Sequence, residues 1–263
     1  EIEAHQRTDE ELQKAKEASE AANAAKSRYV TGLSHELRTP LNSMLGYTQI
    51  LQRDAATPPQ QQDALATILR SGSHLLSLID GLLDVAKIEV GKLNLEPSEI
   101  PFPEFLQQLQ RMFSPQAEEK GLRFHFELQG RMPAVVRGDE KRIRQILINL
   151  LGNAVRYTER GGILVGVRRA ADKVRIEVWD TGIGIATEQQ TLVFREFFQA
   201  ANPERDPGKG LGLGLSLVER LAQLLDHPVS LRSIPNSGSV FGIALPRCAT
   251  VSAAPGANHP AAP

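Results

Sequence analysis

The stretch "KRIRQILINLLGNAVRYT", Lys141 to Thr158, combines a helical repeat with two asparagines set inside an apolar run. Apolar residues recur at intervals of three and four, which predicts an amphipathic helix over about 140–157 with one buried face. That face comprises Ile143, Ile146, Leu147, Leu150 and Ala154. Asn149 and Asn153 recur at an interval of four on a different face, so the predicted helix also has a polar side.

This polar side has two interpretations. A buried amide without a hydrogen-bond partner costs about 1–3 kcal/mol, so Asn149 and Asn153 require either water or a ligand. In the first interpretation they are solvated surface amides. In the second, an amide oxygen binds a hard cation such as magnesium, Arg156 lies at a phosphate and Tyr157 lies against a base. The helix alone does not separate the two.

Strands and helices surround this stretch in an order that predicts an α/β domain. Phe124, Phe126 and Leu128 alternate in "RFHFELQ", as in a strand with one buried face. We predict further strands in "ILVGVRR", "KVRIEVWD", "VSLRS" and "SVFGIALP", and further helices over about 103–119, 187–197 and 212–225. Together these elements predict a layer of helices packed on a β-sheet.

The segment "WDTGIGI", Trp179 to Ile185, ends a predicted strand with an aspartate and two glycines. This order places the Asp180 carboxylate at the rim of a pocket, and Gly182 and Gly184 allow the backbone to approach a flat ligand closely. Asp180 would accept a hydrogen bond from an exocyclic amino group such as that of adenine. Asp-Thr-Gly also occurs in aspartic proteases, but these need a second such aspartate, and the surrounding helices argue against their all-β architecture.

The segment "GKGLGLGLSLVERLAQLL" begins with four glycines and continues as an amphipathic helix. The glycines are Gly208, Gly210, Gly212 and Gly214. Free backbone N–H groups at a helix start favour an anion such as phosphate. The segment matches neither a Walker loop nor a dinucleotide-binding fingerprint, and its alternating leucines are unusual in a flexible linker. The preceding "FREFFQ" and "AANPERDPGK" predict a mobile lid with an aromatic anchor.

The first third of the chain predicts a helical hairpin. Residues 10–53 are rich in Glu, Lys, Gln and Ala, with small residues in a heptad repeat typical of a coiled coil. After the breaker "ATPP", a second helical run carries a broad apolar stripe from Leu65 to Ala86. A hairpin alone buries too little surface, so we predict that two hairpins pair as a four-helix bundle in a homodimer.

The stretch "LSHELRTPLN", Leu33 to Asn42, places His35 beside Glu36 on the first helix of the hairpin. A single histidine on a helix is more often a solvated surface residue than a catalyst. Pro40 removes one helical hydrogen bond, which predicts a bendable helix at this turn. From this stretch alone, His35 is either a reactive residue or a solvated surface residue.

Composition excludes several classes of protein. The formal net charge of −1 gives no reason to expect nucleic acid or an anionic membrane surface as a main partner. The single cysteine, Cys248, excludes an internal disulfide framework and a cysteine metal cluster. The sequence has no run of about 18 apolar residues, and "EIEAHQRTDEE" at its start lacks the basic residues and apolar core of a signal peptide. We therefore expect a cytoplasmic setting and no membrane contact by this chain.

Taken in order, these motifs resemble those of one family, the bacterial sensor histidine kinases. "SHELRTPLN" is similar to the H box of their catalytic core, "NLLGNAVRYT" to the N box, and "DTGIGI", "FREFF" and "GLGLGLSLV" to the G1, F and G2 boxes. "SGSVFGIALP" resembles the last strand of their ATP-binding fold. The resemblance covers about residues 10–247. It implies a helical hairpin that dimerises as a four-helix bundle, followed by an α/β sandwich ATP-binding domain of the GHKL (Bergerat) type.

The resemblance and the composition together predict the domain boundaries. We expect a coiled-coil signalling helix at 1–28, a dimerisation and histidine phosphotransfer domain at 29–92, a linker at 93–102, a catalytic ATP-binding domain at 103–247 and a disordered tail at 248–263. An upstream sensor domain would be absent from this chain.

The resemblance implies roles for residues of the first helix. His35 would be the phosphoacceptor, and Glu36 would orient and deprotonate its ring as the other nitrogen attacks the γ-phosphate of ATP. Glu36 and Thr39 match the E-x-x-T arrangement with which relatives dephosphorylate their regulators. The implied partners are a second copy of the chain and the receiver domain of a response regulator, to whose aspartate the phosphoryl group passes.

The implied nucleotide-binding roles fall on the second half of the chain. Asn153 would coordinate the Mg²⁺ that bridges the phosphates, with Asn149 and Arg156 supporting phosphate placement. Asp180 would bind the adenine amino group, and Tyr157 would lie against the base. The glycines expected to lie close to ATP are Gly182, Gly184, Gly210, Gly212 and Gly214.

Three positions depart from the pattern of the family. Gln145 stands where gyrase- and chaperone-type ATPases carry a water-activating glutamate, which argues for transfer to histidine over hydrolysis. Leu211 stands where many relatives have a Thr or Ser that contacts phosphate, and Gln199 where a basic residue is common. Two other functions stay open: an ATPase clamp of the gyrase and chaperone superfamily, and a degenerate kinase that acts as a dimeric scaffold.

Overall fold

The computed structural model describes residues 13–14, 16–17, 32, 34, 36–54, 57–130, 132–199 and 212–246. The chain folds into two compact units. The first comprises Glu1–Leu95 and Ile185–Asp226, and the second comprises Glu96–Gly184 and His227–Pro263. Most of the predicted coiled-coil segment and the whole predicted tail lie outside the described residues.

The described residues form helices and strands along both units. In chain order they are α1 (36–53), α2 (Pro59–Glu89), β1 (Ser98–Pro101), α3 (Phe102–Glu119), β2 (Arg123–Gln129), β3 (Val135–Gly138), α4 (Glu140–Tyr157), β4 (Gly162–Ala170), β5 (Lys173–Asp180), α5 (Gly214–Leu224), β6 (Ser230–Ile234) and β7 (Gly238–Pro246). None of the described helices is both long and apolar enough to cross a membrane.

The first unit is built on the predicted helical hairpin, α1 and α2. Pro59 is the first residue of α2, where the N–H group that proline lacks would have no helical partner. Gly72 of α2 lies against Leu45 of α1, since an added Cβ would come within 2.5 Å of Leu45 Cδ2. Large apolar side chains of the hairpin remain exposed, namely Leu37, Met44, Tyr47, Ile50, Leu51, Ile68, Leu75 and Leu82. The predicted homodimer would cover this stripe.

Segment 185–226 completes the first unit with two 3₁₀ helices and α5. The predicted single helix over 187–197 is wrong, because the structure has short 3₁₀ helices at Thr187–Gln189 and Leu192–Phe194. The chain leaves the helical conformation at Arg195, which is extended, and the Phe197 N–H donates to the Gly212 carbonyl at 3.1 Å. A bond to a residue far along the chain therefore replaces the helical one.

The second unit contains a five-stranded sheet in the order β2-β4-β5-β7-β6. Strands β2 and β4 are parallel, and the other neighbours are antiparallel. Every second residue of the central strands is buried, as in Val165, Val167, Val174, Ile176, Val178, Phe241, Ile243 and Leu245. The five apolar residues predicted for one face of α4 are at most 3% exposed. The helices and this face of the sheet thus share one core, as predicted.

Two details of the second unit differ from the sequence predictions. Strands β1 and β3 form a separate two-stranded antiparallel sheet, and β1 lies inside the predicted linker at 93–102. These four-residue strands are separated along the chain by α3 and β2, so their pairing leaves no local sequence pattern to detect. Leu128 was predicted to be buried but is 53% exposed, because β2 is an edge strand of the larger sheet. Phe124 and Phe126 are half-buried, as predicted for that face.

Candidate functional site

Helix α4 begins at a well-defined position in the second unit. The Asp139 carboxylate caps it by accepting a hydrogen bond from the Arg142 N–H at 3.1 Å. The other oxygen of the same carboxylate accepts from the Glu96 N–H at 2.9 Å. Glu140 in the first turn and Arg156 in the last turn complement the helix dipole. These contacts fix where α4 begins, and so fix the positions of the side chains along it.

The two asparagines of α4 are both half-buried. The Asn149 side-chain amide donates to the Gln145 carbonyl at 2.9 Å, which leaves its oxygen free to accept. No described residue forms a hydrogen bond with the Asn153 side chain. Neither asparagine is a fully solvated surface residue, and Asn153 retains all its hydrogen-bonding capacity for a ligand.

A divalent cation fits the donor chemistry at Asn153. Magnesium prefers oxygen ligands and keeps several waters or substrate phosphates in its coordination shell. The described residues contain no group of three or more His, Cys, Asp or Glu side chains suited to a metal ion. A magnesium ion here would take one amide oxygen from the protein and its remaining ligands from phosphates and water.

The C-terminal end of α4 is held by Lys120, which follows α3. Its ammonium group donates to the Val155 carbonyl at 2.8 Å and to the Arg156 carbonyl at 3.1 Å. A cation at this end also complements the helix dipole. The next carbonyl, that of Tyr157, accepts from the Ile183 N–H at 3.3 Å. The end of α4 is thereby joined to the loop that follows β5.

Asp180 is the last residue of β5, as predicted, and lies at the edge of the unit in a half-buried position. Its Oδ1 accepts from the Gly182 N–H at 2.9 Å. Burial raises the pKa of the Asp180 carboxyl above its usual range, although hydrogen bonds from the Gly182 and Ser239 N–H groups act to lower it. A carboxylate has about four acceptor sites, so Asp180 can still accept from a ligand.

The glycines after Asp180 are required by the packing of the protein backbone itself. A Cβ on Gly182 would lie 2.4 Å from the Tyr157 carbonyl oxygen. Gly184 has a φ of +67°, and its Cβ would lie 2.1 Å from the Ile234 carbonyl oxygen. Both glycines therefore lie close to backbone of the same unit, at the end of α4 and in β6. Their predicted close approach to a flat ligand stays a prediction.

Sequence reasoning missed Gly238 as part of this arrangement. Gly238 opens β7 with a φ of +107°, and a Cβ there would come within 1.9 Å of the Asp180 carbonyl oxygen. Thr181 was also missed, although its hydroxyl accepts from the Gly162 N–H at 3.0 Å and so holds the end of β5 to the start of β4. The "SGS" triplet at the start of the last strand, a glycine between small residues, was the available indication.

The glycine-rich segment belongs to the first unit, where only part of it is described. Gly214 is the first residue of α5, and Gly212 has a φ of +71°. A Cβ on Gly212 would lie 2.7 Å from the Phe198 carbonyl oxygen, so a larger residue would clash. Gly210 and the predicted lid at 200–209 lie outside the described residues.

The predicted phosphoacceptor, His35, also lies outside the described residues. Its neighbours Glu36 and Thr39 are exposed on α1, and the helix runs without interruption past Pro40. The Arg38 guanidinium, which forms a 2.5 Å ion pair with Asp80 of α2, fixes this turn of the hairpin.

Two protein families match the chain. The His Kinase A (phospho-acceptor) domain matches residues 25–91. The family described as histidine kinase-, DNA gyrase B-, and HSP90-like ATPase matches residues 138–248.

Individual relatives match across both of these regions. The signal transduction histidine-protein kinase BarA of Escherichia coli (strain K12) is 40% identical over 237 residues, which cover 88% of this chain and 26% of BarA. The sensor protein GacS of Pseudomonas syringae pv. syringae is 38% identical over 241 residues, 89% of this chain and 26% of GacS. The chain thus spans about a quarter of the length of these curated relatives.

A solved structure is similar to the chain in three dimensions. Full-length ShkA, crystallised in complex with AMPPNP, superposes with a TM-score of 0.69 at 32% identity. The match covers 85% of this chain and 47% of the ShkA chain. Similarity therefore extends over the hairpin and the helix-on-sheet domain together.

Proposed function

Because this chain belongs to the sensor histidine kinases and carries the catalytic core of that family, we propose that it transfers the γ-phosphoryl group of ATP to His35. The phosphoryl group then passes to an aspartate on the receiver domain of a response regulator. The observation that carries the proposal is the presence of both matched domains in one chain. The first domain contains His35, and the second contains Asn153 and Asp180.

Asp180 is proposed to bind the adenine ring. Its carboxylate, oriented by the Gly182 N–H, would accept a hydrogen bond from the adenine amino group. Tyr157 is half-buried on the turn that bonds to the loop after Asp180, which suits a ring that packs against the base. Gly182 and Gly184 would keep this loop free of side chains.

The polar face of α4 is proposed to bind the phosphates. Asn153 and Asn149 would offer amide oxygens, and Arg156 would supply a positive charge. When bound with ATP, magnesium would neutralise phosphate charge, and Asn153 is the residue that would hold it. Gly210, Gly212 and Gly214, with the start of α5, would contribute backbone N–H groups to the phosphates.

His35 and Glu36 are proposed to perform the chemical step. One imidazole nitrogen of His35 attacks the γ-phosphorus, the bond from that phosphorus to the β–γ bridging oxygen breaks, and ADP leaves with the bond electrons. Glu36 accepts the proton from the other ring nitrogen. The same turn carries Thr39, whose exposed hydroxyl would position water on the phosphorylated regulator in a phosphatase reaction.

Gln145 favours phosphoryl transfer over ATP hydrolysis. An amide cannot accept a proton from water as a glutamate does. Its oxygen also accepts from the Arg142 guanidinium at 3.0 Å, which occupies it within the unit. The ATPase clamp is therefore the less favoured function.

The working form of the chain is proposed to be a homodimer. The exposed stripe on α1 and α2, which includes Met44, Ile68 and Leu75, matches the surface that a second hairpin would bury in a four-helix bundle. The reaction consumes ATP, so we also place this segment in the cytoplasm.

Labelling with γ-³²P-ATP tests the proposal. Wild-type protein should acquire a label that is stable in base and labile in acid, as a phosphoramidate is. His35→Gln should abolish the label but retain binding of AMPPNP, whereas Asn153→Ala should weaken nucleotide binding itself. His125→Gln, a change at an exposed histidine on β2, is the matched control and should label normally. A label retained by His35→Gln would refute the assignment of the acceptor.

A further inference from the structure

The five-stranded sheet has a second face that the core does not use. The two helices of the second unit pack on the face formed by the buried residues named above. Strand alternation places a different set of side chains on the opposite face. We call this set the outer sheet face, and its principal members are Arg168, Arg175, Glu177, Trp179, Arg232 and Ile234.

A cluster of three arginines around one carboxylate lies at the centre of the outer sheet face. Glu177 is only 5% exposed. Its Oε1 lies 3.2 Å from a guanidinium nitrogen of Arg168, 3.3 Å from one of Arg175 and 3.6 Å from one of Arg232. The three arginine side chains are themselves 46%, 37% and 67% exposed. One carboxylate neutralises one of three charges, so the cluster presents excess positive charge and unused N–H donors to solvent.

Two glycines lie beside Glu177 on the outer sheet face. Gly166 and Gly242 lie directly opposite Glu177 on the neighbouring strands. A Cβ on Gly242 would lie 2.7 Å from the Ser230 hydroxyl, to which Arg175 donates at 3.1 Å, and 3.3 Å from Glu177 Cγ. A side chain at position 242 would therefore displace the Ser230 hydroxyl to which Arg175 donates.

An aromatic and an aliphatic side chain border the cluster. Trp179 is 38% exposed, and the Arg232 guanidinium lies 5.6 Å from the centre of its ring. Ile234, next but one along β6, is 66% exposed. Trp and Arg in contact, beside an apolar residue, are the combination enriched at the energetic centres of protein interfaces.

The charge of the outer sheet face contrasts with that of the chain. Strand alternation also places the basic residues Arg123 and Lys173 on this face, beside the three arginines. The acidic residues on the same face are Glu127 and Glu177. The outer sheet face therefore carries more basic than acidic residues, whereas the whole chain has a formal net charge of −1.

We propose that the outer sheet face is a docking surface for an acidic segment of a partner protein. The partner's carboxylates would pair with the exposed guanidiniums, and an apolar side chain between them would pack on Trp179 and Ile234. A nucleic acid backbone fits less well, because Glu127 and Glu177 interrupt the positive surface and the chain as a whole is not basic. None of the principal members of the outer sheet face is proposed to contact the nucleotide.

A binding titration with a defined probe tests the proposal. The probe is a short fluorescein-labelled peptide in which glutamates flank a central pair of leucines, and anisotropy is read against the full chain. We expect binding that weakens with salt. The double variant R168Q/R232Q should lose affinity by about tenfold, and Trp179→Ala by about fivefold. The matched control is R111Q/R137Q, which removes the same charge at exposed arginines outside this face and should change affinity less than twofold.

Glu177→Gln separates a docking role from a structural one. It removes the carboxylate, increases the positive charge of the outer sheet face and should tighten peptide binding about threefold, although it removes a native ion pair. Thermal unfolding of each variant shows that the proteins compared are folded. Equal binding by R168Q/R232Q and R111Q/R137Q, weaker binding by Glu177→Gln, or absence of binding to the wild type would overturn the proposal. Tighter binding of single-stranded DNA than of the peptide, with the same dependence on Trp179, would also overturn it.

Discussion

Lys120→Met should weaken the nucleotide-binding end of α4, although Lys120 itself is not proposed to contact ATP. The Lys120 ammonium donates to the Val155 and Arg156 carbonyls and neutralises the negative end of the helix dipole. Hydrogen bonds from a charged donor contribute about 1.5–3 kcal/mol when buried, but Lys120 is largely exposed. We therefore expect a loss of about 1–2 kcal/mol in the free energy of unfolding.

The same substitution should also reduce nucleotide affinity. The last turn of α4 carries Arg156 and Tyr157, and the turn before it carries Asn153, so fraying of this end moves three proposed ligand residues. A cost of about 1 kcal/mol corresponds to about a fivefold increase in the Kd for AMPPNP. Urea unfolding measures the first effect, and calorimetric titration with AMPPNP and magnesium measures the second.

Two variants control for the loss of charge. Lys120→Arg keeps a charged N–H donor at this position. It should therefore retain most of the stability and most of the affinity for AMPPNP. Lys141→Met makes the same change at the N-terminal end of α4, where a cation opposes the helix dipole, and should alter stability by no more than about 0.5 kcal/mol. If Lys120→Met unfolded and bound AMPPNP like Lys141→Met, the reasoning about this helix end would be wrong.

Three further outcomes follow from the same geometry. Gly184→Ala should lower the free energy of unfolding in urea by about 2 kcal/mol or more, because Gly184 has a positive φ and its Cβ would clash with the Ile234 carbonyl. Gly152→Ala on α4, where nothing lies within 4 Å of an added Cβ, should instead stabilise the protein by about 0.5–1 kcal/mol. Equal effects of the two substitutions would contradict this. Asp180→Asn should become more stable relative to wild type as the pH rises from below 3.8. The pKa of Asp180 is raised in the folded state, so the wild type loses stability as the pH rises through that pKa, whereas the amide does not titrate. A difference in unfolding free energy that did not change with pH would count against this prediction. Pro40→Ala should alter the rates of autophosphorylation and regulator dephosphorylation more than the Kd for AMPPNP. Unchanged rates would refute the predicted bending of the helix at Pro40 but would leave His35 as the proposed acceptor.

Local patterns predicted the elements that are stabilised locally. Helix α4 was predicted almost to the residue because its apolar repeat is strong and Asp139 caps it. The position of Asp180 at a strand end followed in the same way from the alternation in β5. The segment 187–197 was predicted as a helix and is not, because the Phe197 N–H bonds to Gly212, a contact that local sequence does not reveal.

Features that depend on pairing between distant strands were not predicted. β1 and β3 are short, and each is a strand only because the other is beside it. The outer sheet face was likewise hidden, since Gly166, Glu177 and Gly242 become neighbours only through the register of three strands. Gly238, which is required by the backbone of Asp180, is another example. Sequence motifs identified the residues of the candidate site, while the contacts that hold them came from the fold.

The position of the phosphoryl group within the chain decides whether His35 is the phosphoacceptor. The protein is incubated with ATP and magnesium, digested under mildly alkaline conditions that preserve phosphohistidine, and its peptides are analysed by mass spectrometry. We expect one phosphoryl group on His35, absent without ATP and lost when a receiver domain that accepts it is added. Release of phosphate from ATP with no modified peptide containing His35 would exclude His35 as the acceptor and identify the chain as an ATPase of the clamp type.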